Sequence, residues 1–456
     1  MSASDEPIVI VGGGIAGIAA GVRLAEAGQR VMLLETRTKL GGRATSFDDV
    51  RTGETIDNCQ HVALGCCTNF VDLLRRLAAD HLIDWQRAIH WFERGGRSST
   101  IQPSRIAPAP GHLSLDFARA RFLSVNEKTA IARAILAMLR AHREEHAGET
   151  FGAWLAKHGQ PRGAIEKFWE PVIVSACNLA CDTVSAAIAL HVFQEGFLAH
   201  REAPIMGVPD APLRTLYDGA TPIIEAAGGA VRVRTGVASI RPDGVTTSAG
   251  ESIEAKAVIC AVPFERVGAL VSPELREIDP RFDQLVGLTH SPILGVHLVF
   301  DRPVMTTPNA VLVDAPTQWL FRKNDDGSAV HAVISAADDW LGLGEREVVT
   351  RVLADVRTWL NTDAEVRSGR PVMEKRATWA PTPGSEAHRP PAEGPSGIVL
   401  AGTYVQTGWP CTMEGATRSG YTAAEALLGT GDRLVLDSLR PQLPVRVLAG
   451  AWARGG

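Results

Sequence analysis

The sequence predicts an α/β protein: a parallel sheet flanked by helices, joined to a second half of mixed sheet and helix. Three observations predict it. A short continuous apolar run, Ile8 to Val11, stops at three consecutive glycines, as a strand buried on both faces does. Residues 15–28 then carry apolar side chains at helical spacing, and a second apolar run, Val31 to Leu34, ends at Glu35. Near the far end, Ile398 to Gly402 repeats the strand-to-glycine pattern ahead of a helix that opens on small residues.

The first unit is strand, Gly-x-Gly-x-x-Gly, helix, strand, acid. Gly12 permits the tight turn, Gly14 lets backbone approach a pyrophosphate, and Gly17 lets the helix pack closely on the sheet. Ile15 and Ala16 open the helix, whose unpaired amides suit a phosphate, and Gly28 stops it. Glu35 can accept hydrogen bonds from ribose hydroxyls. The unit is Rossmann-like. A glycine-rich turn in an ordinary βαβ unit would leave the acid at the strand end unexplained. Thr36-Arg37-Thr38-Lys39-Leu40-Gly41-Gly42-Arg43 follows. It resembles the Arg-x-x-x-Gly-Gly-Arg segment after the second strand in the FAD-dependent amine oxidase and phytoene desaturase superfamily. That resemblance implies FAD as cofactor. Arg37 and Arg43 can neutralise a diphosphate, and Gly42 lets the backbone pass close by.

Residues 70–79 and most of 113–207 read as helix. In 130–140, apolar residues recur at helical spacing beside arginines; a core-facing helix is the leading expectation, an apolar lid or membrane-contacting surface the other. Residues 231–240, 244–254 and 257–262 read as strands, the last returning to the first sheet. In the resembled superfamily the backbone near Val237 meets the adenine. Residues 292–300, 309–313 and 329–335 read as strands of a second sheet, 345–360 as a helix, and 389–395 as a loop. After Gly402 and Thr403, Met413-Glu414-Gly415-Ala416 opens a helix whose amides can stabilise negative charge on a flavin, the usual C-terminal flavin element of the resembled superfamily. The FAD-binding domain is therefore expected to be discontinuous, residues 1–84 with 208–265 and 395–435. Residues 85–207 with 266–394 are the expected substrate-binding domain, and 436–456 a C-terminal tail.

Composition excludes several classes. With 45% hydrophobic and 21% charged residues, long disordered or collagen-like segments are not expected. Basic residues number 46 against 51 acidic, so no charge excess points to nucleic acid. Seven cysteines without regular spacing predict neither a disulfide framework nor, with the histidines, a metal site. Cys177 and Cys181 read as buried core thiols, and a reducing cytoplasm is the default location. The first residues lack the basic and apolar segments of a secretory signal. No run of eighteen apolar residues predicts a spanning helix, which leaves peripheral contact with the inner membrane face open. A second Gly-x-Gly-x-x-Gly is missing, so electrons are expected from the substrate or from a separate donor rather than an NAD(P)H domain.

Three further stretches narrow the resemblance: Ile56-Asp57-Asn58-Cys59-Gln60-His61-Val62, Phe168-Trp169-Glu170-Pro171, and Thr407-Gly408-Trp409-Pro410-Cys411-Thr412-Met413-Glu414-Gly415-Ala416. Over essentially its whole length, and most specifically at its ends, the chain resembles the hydroxysqualene dehydroxylases, squalene-associated FAD-dependent enzymes of hopanoid biosynthesis. The resemblance implies reduction of hydroxysqualene, an apolar isoprenoid, to squalene and water by FADH2. The sequence departs from that family at Thr403, where most members carry an acid on a ribityl hydroxyl; threonine bonds there without charge assistance.

That chemistry asks for a proton donor to help the allylic hydroxyl leave as water, hydride from flavin N5, and an apolar cavity that excludes water. The candidate donors are Cys59, His61, Glu170 and Cys411, with Gln60 beside them in the same segment. His61 leads, because imidazolium is available near neutral pH. The bland alternatives are cysteines as core filler, His61 as a flavin-orienting neighbour, and Glu170 as a favourable first-turn acid. Trp169 and Trp409 are candidate tunnel-lining residues, or plain core. Rival readings are a carotenoid desaturase running in the oxidising direction, an amine oxidase, and a non-catalytic prenyl-lipid escort of the same architecture. An amine oxidase expects paired aromatics; Trp409 has no obvious partner. The Gly12, Gly14, Gly17 and Glu35 set argues against the escort.

Overall fold

The computed structural model describes residues 6–51 and 53–453, so the reading of the first five residues lies outside it. Five parallel strands form the first sheet, in the order Ala230–Arg232, Val31–Leu34, Ile8–Val11, Ala257–Cys260, Val399–Leu400. The chain adds strands on one side of Ile8–Val11 and then crosses to the other. The order therefore reverses between Ile8–Val11 and Ala257–Cys260, and the crevice beyond the carboxyl ends of these two strands is where such sheets bind ligands. Helix Ile15–Glu26 covers the sheet, and helix Met413–Leu428 packs on it so closely that a Cβ on Gly420 would lie 2.3 Å from the Ala16 carbonyl oxygen. One core joins both ends of the chain through Ile10, Leu33, Phe70, Val258, Leu400 and Tyr421.

The second half is built on a seven-stranded mixed sheet, ordered Val366–Trp379, His290–Phe300, Ala329–Ser335, Trp319–Arg322, Asn309–Leu312, Ile89–Phe92, Ser98–Ile101. One of its pairings, Asn309–Leu312 with Ile89–Phe92, is parallel. Helix Glu345–Leu360 buries Val348, Val352, Val356 and Trp359 against this sheet in a core of its own. A further core gathers the helices between residues 114 and 198 around Phe151, Trp154, Trp169 and Phe193. Ser124 and Glu127 close a reciprocal capping box on helix Val125–Arg140. That helix faces the core as the leading reading of residues 130–140 expects: Ile131, Ala134 and Met138 are buried, while Arg133 and Leu136 are exposed.

Two expectations change. Residues 231–240 are not one strand: Ala230–Arg232 joins the parallel sheet, the chain turns with Arg234 at φ +55°, and Val237–Arg241 begins a separate antiparallel sheet. Strands Trp319–Arg322 and Val366–Trp379 are additional to those read from the sequence. Phe282 and Leu285, on the segment that follows strand Ala257–Cys260, also pack into the first core. No helix among the described residues is long and apolar enough to cross a membrane.

Candidate active site

The glycine turn explains itself by space. Gly12 adopts φ +112°, and a Cβ there would sit 2.7 Å from the Ala261 carbonyl oxygen. A Cβ on Gly17 would lie 2.0 Å from the Gly12 carbonyl oxygen. Around Gly14 a Cβ would meet nothing closer than Gly42 Cα at 3.9 Å, and Gly14 caps helix Ile15–Glu26 without a side chain. The turn thus leaves room where the amides of Ile15 and Ala16 begin the helix, which fits a diphosphate. Glu35 is buried beside it. Its Oε2 accepts from Gly13 N and its Oε1 from Arg37 N, both at 2.7 Å, and each oxygen keeps a lone pair for a ribose hydroxyl. Thr235 N donates to the Glu35 carbonyl and Arg234 N to that of Arg37, which brings the segment leading into Val237 alongside the acid.

The other end of the site joins residues far apart in sequence. Arg43 donates through Nη1 to the Ala377 carbonyl at 3.0 Å and through Nη2 to Thr403 Oγ1 at 3.4 Å. Cys411 Sγ donates to the same threonine oxygen at 3.1 Å. Arg37 donates to the Gly42 carbonyl at 3.1 Å from an exposed position. Gly402 N donates to Ser419 Oγ, and Thr412 Oγ1 caps helix Met413–Leu428 by accepting from Gly415 N, with Ala416 buried next to it. Arg389 is fully buried and fastens the intervening loop, donating to the carbonyls of Thr403, Val405 and Trp409 while paired with Glu386. The sequence carried no signal for it, since its partners are backbone carbonyls.

From these segments a cavity of ≈ 960 Å³ runs into the second half. Cys59, Gln60 and Val62 form one wall, Trp409, Pro410 and Met413 another, and Ile293, Phe321 and Val333 a floor from the mixed sheet. Phe168, Phe193, Phe197, Ile135 and Leu136 extend it as an almost wholly apolar space. Trp409 lies on this wall rather than in a closed core.

Other candidates sit differently. Trp169 is core: it is completely buried and its Nε1 donates to Gln160 Oε1 at 2.9 Å. Glu170 faces away from the cavity, on the opposite side of its helix from Val172 and Ala176, and accepts from Cys181 N at 2.9 Å. The Glu414 carboxylate is buried and fully engaged by Asn69, Phe70 N and Arg418, so it fastens helix Thr68–Arg76 and leaves only its backbone to a cofactor. His61 is half-buried, donates through Nδ1 to the Cys59 carbonyl, and does not line the cavity. Burial, with Arg43 adding, holds its pKa below the ordinary histidine value, so the expectation of ready imidazolium near neutral pH gives way to a mainly neutral ring. Burial also pushes the Cys59 thiol up to about 12, so it keeps its proton at neutral pH.

Three histidines were not singled out by the sequence. His297 and His331 stack at 3.9 Å on the sheet face that also carries Phe321, Val333 and Lys323, and Lys323 Nζ reaches Gln60 Oε1 at 3.2 Å. His191 stands edge-on to Trp409 at 4.9 Å and lines the cavity. The period-two alternation of strand Ala329–Ser335 was the available signal for His331; His191 had none.

Residues 15–428 match the family described as flavin containing amine oxidoreductase. The chain belongs to that family. FAD is its cofactor, and the glycine turn, Glu35 and the Arg43–Thr403 corner provide a cradle that fits it. The chain is similar to a 15-cis-phytoene desaturase of Synechococcus elongatus, at 24% identity over 94% of this chain and 97% of the relative. It is also similar to a hydroxysqualene dehydroxylase of Zymomonas mobilis, at 26% identity over 92% of this chain and 98% of the relative. An oxidoreductase from Methanosarcina mazei shares the fold, with a TM-score of 0.70 at 16% identity over 93% of this chain and 100% of that one.

Proposed function

We propose that this FAD-dependent oxidoreductase is a hydroxysqualene dehydroxylase, converting hydroxysqualene to squalene and water. The observation that carries the reading is the apolar cavity that reaches the cofactor-side segments and there exposes a few polar groups, Gln60, His191 and Glu195. Such a space holds a long isoprenoid, excludes competing water, and still offers partners to one oxygen. FAD, when reduced, supplies the hydride. The residues of the chain must hold the hydroxyl and deliver the proton with which it leaves. Cys59 and Gln60 touch the cavity, and His61 is tied to the same segment through its hydrogen bond to the Cys59 carbonyl. Residues 85–207 with 266–394 form the substrate side in this reading, and a separate reductant recharges the FAD.

Lipid substrates come from a lipid phase, and the surface beside the cavity supports peripheral membrane contact. Ile106, Leu115, Val125, Leu136 and Val447 are exposed apolar side chains on adjoining segments, two of them also cavity-lining. Arg105, Arg119, Arg121, Arg133, Arg140 and Arg446 lie on the same segments, against Asp116 and Glu127.

The test is anaerobic. The enzyme is reduced, hydroxysqualene is added, flavin absorbance is followed and the lipid is analysed. Reoxidation with stoichiometric squalene is expected. Reoxidation failing, with phytoene or a related polyene bleaching the oxidised enzyme instead, would establish the carotenoid desaturase reading that the phytoene desaturase relative favours.

A further inference from the structure

Helix Ala186–Phe193 runs on into a single wide turn of π type, Gln194–Leu198, a local distortion that recurs at functional sites. Phe193, Glu195, Phe197 and Leu198 line the cavity from this stretch. Glu195 lies one turn on from His191, whose ring stands against Trp409. The thiol of Cys66, another lining residue, is held well above the ordinary value by Cys67 and by burial, with the charges of Glu414 and Glu195 adding. Glu195 thus belongs to the cofactor end of the cavity, where Trp409 and the start of helix Met413–Leu428 meet it. Among the described residues, four charged side chains line the cavity, Arg87, Lys128, Glu195 and Glu414. Three are engaged: Glu414 is buried and fully bonded, Lys128 donates to the Ala118 carbonyl at 2.7 Å, and Arg87 pairs with Glu202 at 3.0 Å. Glu195 is only half engaged. Its Oε1 accepts from Arg143 Nη2 at 3.2 Å, and Arg143 is steadied in turn by His191 Nδ1 and Glu144. Its Oε2 accepts nothing from the described residues and, unlike His191 Nε2, is not sealed; the side chain is 12% exposed.

As one half of an ion pair, Glu195 is a carboxylate and offers only acceptors. An accessible carboxylate oxygen bordering an apolar space needs a donor from whatever fills that space. We infer that Glu195 Oε2 accepts the hydroxyl hydrogen of the otherwise apolar ligand, with Arg143 fixing the carboxylate from behind. Glu195 is thus a specificity-determining residue: it selects an isoprenoid alcohol over the hydrocarbon of the same chain, and over its ether. A hydrocarbon drives water from the cavity and leaves the oxygen without a donor; an ether brings oxygen but no hydrogen to give. Held by its hydrogen, the hydroxyl keeps its lone pairs free to take the leaving proton from another group. The inference rests on the proposal that the cavity takes an oxygenated isoprenoid.

The experiment uses the oxidised holoenzyme, which binds without turning over. Equilibrium dialysis of labelled hydroxysqualene, its methyl ether and squalene at one fixed detergent concentration gives three Kd values. The alcohol is expected to bind about tenfold or more tightly than either of the others. Glu195→Leu loses the acceptor; it should abolish the preference while leaving FAD content unchanged. Glu195→Gln keeps an amide oxygen without the charge and should retain part of the preference. If Glu195→Leu fails to fold, Glu195→Gln decides alone, and a preference as large as that of the wild type overturns the inference. An unchanged preference in Glu195→Leu, an ether bound as tightly as the alcohol, or no preference in the wild-type protein also overturns it. If the alcohol is preferred through Glu195 yet reduced enzyme makes no squalene, the anchor stands and the dehydroxylase reading falls. If squalene is made and Glu195→Leu keeps the preference, the dehydroxylase reading stands and the anchor falls.

Discussion

One methyl group at Gly17 has nowhere to go, because the Gly12 carbonyl oxygen would lie 2.0 Å from it. Gly17→Ala should open the turn and lower FAD content at least about tenfold, as read from the ratio of flavin to protein absorbance. His331 makes a different kind of prediction. It is wholly buried without a hydrogen-bond partner among the described residues, and burial holds it well below the ordinary histidine pKa, with His297, Lys323 and His61 adding. The unfolded chain therefore binds a proton that the folded one refuses as pH falls below about 6.5, so stability is full above that value and declines beneath it. Urea midpoints at pH 7.5 and 5.5 should differ, and His331→Phe should narrow the difference. If His61 supplies the catalytic proton, kcat/KM should rise as pH falls toward its lowered pKa and level off beneath it, a limb that His61→Gln removes. The glycine turn and Glu35 were legible in the sequence because their geometry is local. His191 and Arg389 were not, because each is defined by groups brought together only by folding.

At the scale of elements, one buried side chain ties three carbonyls of the loop 403–409. Arg389→Met would leave the buried carbonyls of Val405 and Trp409 without their side-chain donor, while that of Thr403 keeps Trp379 Nε1–H. A loss of at least about 3 kcal/mol is expected in urea unfolding, with FAD content falling as well. Gly420→Leu would push helix Met413–Leu428 off helix Ile15–Glu26, at a cost of about 1–3 kcal/mol or more. The helices and the apolar strands were legible from periodicity; helix Glu345–Leu360 has the expected bounds. Strand Val366–Trp379 was not. It is the edge of its sheet and carries Arg367, Arg370, Glu374, Lys375 and Arg376, the charges that keep an edge from pairing with other chains and that make it read as loop. Residues 230–241 misled for the opposite reason, since two short strands in different sheets share one apolar run.

For the whole molecule, the exposed apolar and basic surface beside the cavity predicts a preference for anionic lipid. Vesicles containing phosphatidylglycerol should pull the protein down in sedimentation, and neutral phosphatidylcholine vesicles should do so much less. Leu136→Glu with Val447→Glu should release it without changing FAD content, because neither side chain approaches the cofactor cradle. Equal binding of wild type and double variant would assign the surface another role.

The strand order of the first sheet also has a consequence in time. Ile8–Val11 leaves the ribosome first, but its neighbour Ala257–Cys260 follows roughly 250 residues later and Val399–Leu400 roughly 390 residues later. At about 5–20 residues per second, the nascent chain spends roughly 20–80 s with half of its nucleotide cradle still unsynthesised. Until Ala257–Cys260 is made, a fully apolar strand has only Val31–Leu34 beside it, with Ala230–Arg232 one strand further out, and no late helix covers Ile15–Glu26. Chaperone dependence during translation, and flavin capture only once helix Met413–Leu428 has emerged, follow from the order in which the strands are made.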